Sequence, residues 1–504
     1  MKKKWYEIID SVSFSLIVLL FSYFFIAIGS IESANEIVSK SLLILLRIGI
    51  YLKKAFPLFL ALNYIGSNKK DIIPFIGTII CYILLNIITM VLSSTMYDPS
   101  FYKDVFGLAL DEKRMPLNLG LFGSILIIII VNFSYKLAKK RYNYGILNFL
   151  SNDAWFFIVS ILLTIITGIF VSFSYGFFAD IISRIMNFIS TNSSNPVAMY
   201  CYGVFYKIME LFQMDSVLHN NFLFGSLGGS WINSQGNTVL GDIAIWTAQV
   251  AEDSIAVTTG RYTTGFYIIN IFVIPSLIIA ILMNINDKIE ISKKFVLAFI
   301  SIIITSFSGS TLPVEYYLLL TAPALLIIHI IFSGFVFLAS QIQGLYLGTI
   351  ALGTTNNFFL GNIVEFIHYY KIIDLNPIVT KLIINGVICF VICQIVVNVY
   401  YRCLAFDFLE KDQRKKDIYS IILSLGGLSN IKKITSSSRW ITVVLDDKNK
   451  FDGDKLLKDQ AYKIVERYYG FIIFLGPSSP KICREIRKQM KDLNYCLKYR
   501  KNRE

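Results

Sequence analysis

Four ionisable side chains lie in or beside long apolar runs of this chain: His219 in VLHNNF, Arg261 in GRYTTGF, Glu315 in GSTLPVEYY, and His329 beyond it. A carboxylate and an imidazole in low-dielectric surroundings can orient hydroxyl groups and take up a proton. Charge at membrane depth is costly, so its presence there favours function over packing. Each residue also has a packing reading. Arg261 suits an interfacial anchor, His329 a helix-packing contact, and Glu315 a cap on backbone amides near a broken helix. The seven cysteines (Cys81, Cys201, Cys389, Cys393, Cys403, Cys483 and Cys496) lack the paired spacing of a zinc site or a secreted disulfide framework. No metal or cofactor site is expected.

The elements that must position these residues are membrane spans. The chain has 504 residues, 55% of them hydrophobic and 16% charged, with a mean hydropathy of +0.61. Such a composition suits a lipid bilayer rather than a soluble globule. Apolar runs near the roughly 20 residues needed to cross about 30 Å of hydrocarbon recur at 12–30, 72–93, 118–135, 152–176, 263–283, 296–310, 315–338 and 379–400. Weaker runs lie at 41–65, 196–212 and 340–355. The expectation is a polytopic α-helical membrane protein of about ten spans.

The formal charge of +13 is explained by basic inner loops rather than by nucleic-acid binding. Lys2 to Lys4, Lys69, Lys70, Lys136, Lys139, Lys140 and Arg141, then Lys288, Lys293, Lys294 and the run Lys411 to Lys416, all fall where a cytoplasmic N-terminus puts inner loops. Both ends should therefore be cytoplasmic. The basic start lacks a small-residue cleavage site, so the first apolar run reads as a retained span. The Gly- and Asn-rich stretch GSLGGSWINSQGNTVLGD reads equally as an external loop or as irregular backbone lining a wet cavity.

The boundaries read as a membrane domain over 1–403, a charged linker over 404–416 and a small cytoplasmic α/β domain over 417–504. In that tail DIYSIILSLGG reads as a helix, RWITVVLDD as a strand, KLLKDQAYKIVERYY as a helix, FIIFLG as a strand and the basic end as a helix.

The stretch GSTLPVEYYLLLTAPALLIIHIIFSGF resembles the signature of the enzyme IIC membrane domain of bacterial phosphotransferase-system (PTS) sugar permeases of the glucose superfamily. Gly309, Thr311, Pro313, Glu315, Pro323, His329 and Gly334 fall in its register. VLHNNF resembles the family's Leu-His-His element, with His219 in the first His position and Asn220 in the second. GRYTTGFYIINIFVIPSLIIAI resembles the next block, carrying Arg261 and Pro275. In the tail, LGGLSNIKKITSSSRWITVVL resembles the start of an enzyme IIB phosphocarrier domain, matching at Gly426, Gly427, Asn430, Ile431 and Arg439, and FLGP, with Gly476 and Pro477, fits its later strand.

The resemblance implies that a sugar (hexose, amino sugar or disaccharide) binds in a membrane cavity, moves inward and receives phosphate from a cysteine of the cytoplasmic domain. It implies His219, Asn220, Arg261, Thr311 and Glu315 as substrate contacts. A homodimer in the bacterial plasma membrane and a separate enzyme IIA or phosphocarrier protein as donor are also implied, since no enzyme IIA segment follows.

The departures cluster on the chemistry. Ser436 stands where the family has its phosphorylated Cys, with Arg439 as the remaining phosphate contact. A serine hydroxyl needs a neighbouring base and forms a more stable phosphate ester than a thiolate does. The second Arg of that strand, a charge-assisted phosphate donor, is Ile441. Leu312 replaces the first signature Glu, removing an acceptor for a sugar hydroxyl. In the next block Val273 and Ile274 precede Pro275 in place of the family's Gly-Leu. Two readings stand: a permease with impaired or lost phosphotransfer, or a degenerate paralogue acting as a membrane sensor, a regulatory partner or a carrier of a different ligand.

Overall fold

The computed structural model describes residues 2–31, 35–69, 71–93, 117–139, 151–255, 259–285, 288–350, 360–372, 374–404, 418–437, 439–468 and 470–501. The linker expected at 404–416 lies, except for Leu404, outside them, as do Lys70, Lys140, Arg141 and the basic run at 411–416.

Helices α1 (Lys2–Gly29) and α2 (Glu36–Lys69) form an antiparallel hairpin, followed by α3 (Ile72–Ser93), α4 (Gly120–Lys139) and α5 (Asn152–Thr191). Small residues set the approach of the first pair. A Cβ on Gly49 would sit 2.7 Å from the Ser22 carbonyl oxygen, while the Ser22 hydroxyl donates to the Gly49 carbonyl. The α5 helix, capped by Ser151, runs 40 residues, about 60 Å, well beyond the stretch expected at 152–176.

Next come α6 (Pro196–Leu211), α7 (Asp215–Leu218), a π-helical turn over His219–Leu223, the short strands β1 (Ser230–Ile232) and β2 (Thr238–Leu240), and α8 (Asp242–Ala251). The polar stretch forms a hairpin that leads into α8. Its β1–β2 hairpin is largely exposed, whereas Asp242 at its end is buried and accepts from the amides of Gly260 and Tyr262.

A further continuous helical run comprises α9 (Thr264–Ile268), a π turn and α10 (Ile274–Met283). After it come α11 (Lys288–Ser308), α12 (Leu312–Thr321), α13 (Pro323–Ile342), α14 (Ile363–Tyr370) and α15 (Asn376–Val399). The run expected at 315–338 is broken between α12 and α13, because Ala322 takes φ −149°, ψ 69° and Pro323 has no amide to continue the ladder. The weak run at 340–355 is not a span in its described part. Helix α13 stops at Ile342, Gly344 takes a positive φ, and residues 345–350 are irregular.

Among the described residues, seven helical stretches are long and apolar enough to cross a membrane: Ser11–Gly29, Ile72–Leu92, Gly120–Lys139, Asn152–Thr191, Thr264–Met283, Pro323–Ile342 and Asn376–Arg402. Lys294–Ser308 is a shorter apolar helix. Their outer faces expose rows of large apolar side chains, such as Phe170, Phe173, Phe177 and Phe178 on α5. A water-soluble surface does not tolerate that much apolar area, and a bilayer does. Inside, a large core runs from Leu19 and Phe56 through Tyr202, Phe266 and Phe337 to Val397 and Tyr401, with a satellite around Ile65, Leu85, Ile127 and Phe156.

The C-terminal residues form α16 (Ile418–Ser424), β3 (Ile431–Ser436), β4 (Trp440–Leu445), α17 (Gly453–Asp459), β5 (Lys463–Arg467), β6 (Gly470–Phe474) and α18 (Ser479–Lys501). The sheet is antiparallel in the order β3-β4-β6-β5. It has its own core of Ile421, Ile434, Ile441, Val443, Ile473, Cys483 and Ile486. The helix expected over KLLKDQAYKIVERYY holds only to Asp459; KIVER is instead strand β5. Ile464 and Val465 suit an extended backbone, and the β6 ladder supplies hydrogen bonds that a solvated helix end lacks.

Candidate functional site

Three helices and one connection bring the polar residues of the membrane core together. Helices α6 and α13 approach closely at paired glycines, where a Cβ on Gly203 would lie 3.1 Å from the Gly334 Cα. That contact sets Lys207 and Glu210 of α6 near His329 of α13. The connection Gly309–Thr311, which opens with Gly309 at φ +68°, delivers Ser310 and Thr311, and the first turn of α12 delivers Glu315.

The result is a buried ionic network. Lys207 Nζ lies 2.7 Å from Glu210 Oε2 and 3.1 Å from Glu315 Oε1, and it donates to the Thr311 hydroxyl at 2.5 Å. Thr311 donates in turn to Glu315. Ser310 donates to Glu210 Oε1 at 2.8 Å, and His329 Nε2 stands 3.3 Å from Glu315 Oε1. Lys207, Glu210, Thr311, Glu315 and His329 are all buried. Two buried carboxylates around one ammonium are held by the ion pairs and hydrogen bonds that each of them makes.

Two atoms of the network stand apart. Among the described residues, Glu315 Oε2 and His329 Nδ1 are buried with no hydrogen-bond partner. A carboxylate oxygen in that state is an acceptor for a hydroxyl.

His219 belongs to a second cluster, on the first residue of the π turn. Its Nε2 is 2.7 Å from the Tyr206 hydroxyl and 3.9 Å from Asp215 Oδ2, and Asp215 is paired with Lys53 of α2 at 3.2 Å. Tyr206 precedes Lys207 on α6 and packs on Phe266, whose ring also lies 5.7 Å from Lys207 Nζ. The two clusters thus share one wall. Asn220 follows His219, and its Nδ2 is buried without a hydrogen-bond partner among the described residues. Arg261 contacts a different region: it donates to the Ser193 hydroxyl at 2.9 Å and covers the Tyr346 ring.

Of the residues expected from sequence, Thr311, Glu315 and His329 meet in one network and His219 adjoins it. Lys207 and Glu210 were not singled out. Their signal was two opposite charges one helical turn apart inside the weak apolar run 196–212, where unpaired charge is costly.

In the C-terminal domain Ser436 ends β3, is buried, and pairs across the ladder with Ile441. Arg439 is buried. Its Nη1 donates at 2.8 Å to the carbonyl of Leu320, near the end of α12. Ser437 accepts from Lys294 Nζ of α11 at 2.5 Å, and that ammonium lies 4.4 Å from the centre of the Trp440 ring.

No family model matches the chain. It is similar to the "PTS system glucoside-specific EIICBA component" of Staphylococcus carnosus (strain TM300), at 26% identity over 396 residues, or 74% of this chain and 54% of the relative. The chain thus spans about half the length of that relative.

Proposed function

We propose that the chain is a PTS-type carbohydrate permease, enzyme IIBC-like, that takes up a sugar across the bacterial plasma membrane with its phosphotransfer impaired or lost. The carrying observation is Glu315, a buried carboxylate at the start of a broken helix. One oxygen is held by Lys207, Thr311 and His329, and the other has no partner among the described residues. Such an oxygen is preorganised to accept from a polyol, and charge-assisted acceptance is the stronger kind of hydrogen bond. The similarity to a glucoside-specific relative supports a sugar as the polyol and glucosides as the first class to try.

Thr311 and Glu315 are the inner contacts in this reading. His219 and Asn220 reach the ligand from the π turn, and Arg261 lies at the periphery. The domain over 417–504 is enzyme IIB-like, the protein works as a homodimer with both termini cytoplasmic, and a separate enzyme IIA or phosphocarrier is the remaining partner to test.

A second reading rests on Ser436, Ile441 and Leu312, three departures at positions of chemistry: a paralogue that senses or regulates, or carries another ligand. Ligand-induced thermal stabilisation of the detergent-purified chain separates the two, because a ligand that binds the native state raises apparent stability. A saturable shift with one member of a panel of hexoses, N-acetylhexosamines, disaccharides and glucosides supports the permease. A well-folded sample with no shift supports the repurposed scaffold.

A further inference from the structure

Helix α12 ends with an unfilled ladder. The amide of Ala322 returns to the Leu318 carbonyl at 2.7 Å. Pro323 has no N–H for Leu319, and the backbone turn at Ala322 carries the next residues away from Leu320. A helix-end carbonyl in a buried place needs a donor from elsewhere. Leu320 receives it from Arg439, a residue of the other domain.

A second contact joins the same two bodies one helix earlier. Lys294 of α11 donates to Ser437 and lies over Trp440. Helices α11 and α12 lie on either side of the Gly309–Thr311 connection, and both are held by residues that follow β3 and open β4: Ser437, Arg439 and Trp440. These residues are themselves fixed, since Ser437 N donates to the Trp440 carbonyl and the Arg439 carbonyl accepts from the amides of Leu475 and Gly476. Ser437 and Arg439 are buried, as is Tyr401 beside them.

We infer that the C-terminal domain is a clamp on helices α11 and α12, and that Arg439 is a positioning residue for Glu315, acting as the C-terminal cap of its helix. Glu315 lies five positions before Leu320 on the same ten-residue helix, about 7.5 Å along the axis. A cap at one end therefore fixes the carboxylate near the other. The cap adds a second restraint on α12, beside the Lys207–Glu315 contact that ties it to α6. The face that carries Ser436 is in this way used to hold membrane helices. The link to ligand binding, but not the clamp itself, rests on the reading of Glu315 as a ligand contact.

The test is hydrogen exchange of the full chain in nanodiscs, read by mass spectrometry over 294–323 and over the strands β3 to β6. Arg439→Ala should speed exchange at 316–324 by about tenfold, the loss of one charge-assisted hydrogen bond, while the sheet keeps its protection. Arg439→Lys, which keeps one donor, should restore part of it. Lys448→Ala, on the far side of the same domain, should change nothing in 294–323. Should Arg439→Ala unfold the sheet, Lys294→Ala decides, because it alters only the membrane side and should also raise exchange in 294–323. Unchanged exchange there with an intact sheet overturns the clamp. Its failure is distinct from that of the sugar reading, which falls if no sugar stabilises the wild-type chain.

Discussion

The Lys207 ammonium lies 3.1 Å from the Glu315 carboxylate, although the two residues belong to helices separated by the whole of the 212–311 segment. Lys207 also holds Glu210, so one cation keeps two buried carboxylates apart. Removing it leaves both facing each other in a low dielectric. Lys207→Met should cost about 3–5 kcal/mol, the range for a broken buried ion pair. The fall should show in thermal unfolding of the purified protein and exceed that of Glu210→Gln, which removes a charge from the same network without stranding one. Equal losses would mean that Lys207 serves packing alone.

Glu315→Gln keeps the size of the side chain and its contacts with Thr311 but loses the charge. Titration calorimetry with the sugar that stabilises the wild-type protein should show binding at least about tenfold weaker, or about 1.4 kcal/mol. The melting temperature should fall only by a few degrees. A large loss of stability with unchanged affinity would assign Glu315 to the fold.

Phosphate transfer from a phosphorylated PTS donor to the full-length chain should leave no label at Ser436. That hydroxyl is buried, and the residue opposite it on β4 is Ile441, which offers phosphate nothing. Ser436→Cys alone should not restore labelling. Recovery by the single change would show that the rest of the phosphate site is intact.

Glu365, on α14 outside the seven long helices, accepts from the Ile350 amide and from the hydroxyls of Tyr267 and Tyr369. Burial pushes its carboxyl from an ordinary 4.5 up to about 7, against the opposing pull of those donors. A carboxyl raised in the folded state stabilises the protein fully below its unfolded value, and this contribution is lost as pH rises through the folded one. Apparent melting temperature should therefore decline between about pH 5 and about pH 8. Glu365→Gln should flatten that decline and raise stability at the alkaline end. Tyr267 already has the Gly348 carbonyl as a second acceptor, so its hydroxyl can accept from the new amide. An unaltered slope in the variant would place the titration elsewhere.

What the sequence determined by itself is what local chemistry dictates. Apolar runs of bilayer length indicated the class, and Glu315 stood out as a charge in an apolar stretch, whereas Thr311 came with the resemblance and the break at Ala322–Pro323 emerged only with the structure. A uniform apolar run does not say where a helix ends, which is why α5 continues to Thr191. Nor does a charged amphipathic segment reveal an edge strand, so β5 emerged only with its partner β6. The tertiary structure alone decided that Lys207 and Glu210 stand beside Glu315, that Arg261 lies apart from them, and that Arg439 caps α12. The physical reason is that a buried charge or a helix-end carbonyl must be satisfied, but the donor's place in the sequence is set by packing across the fold.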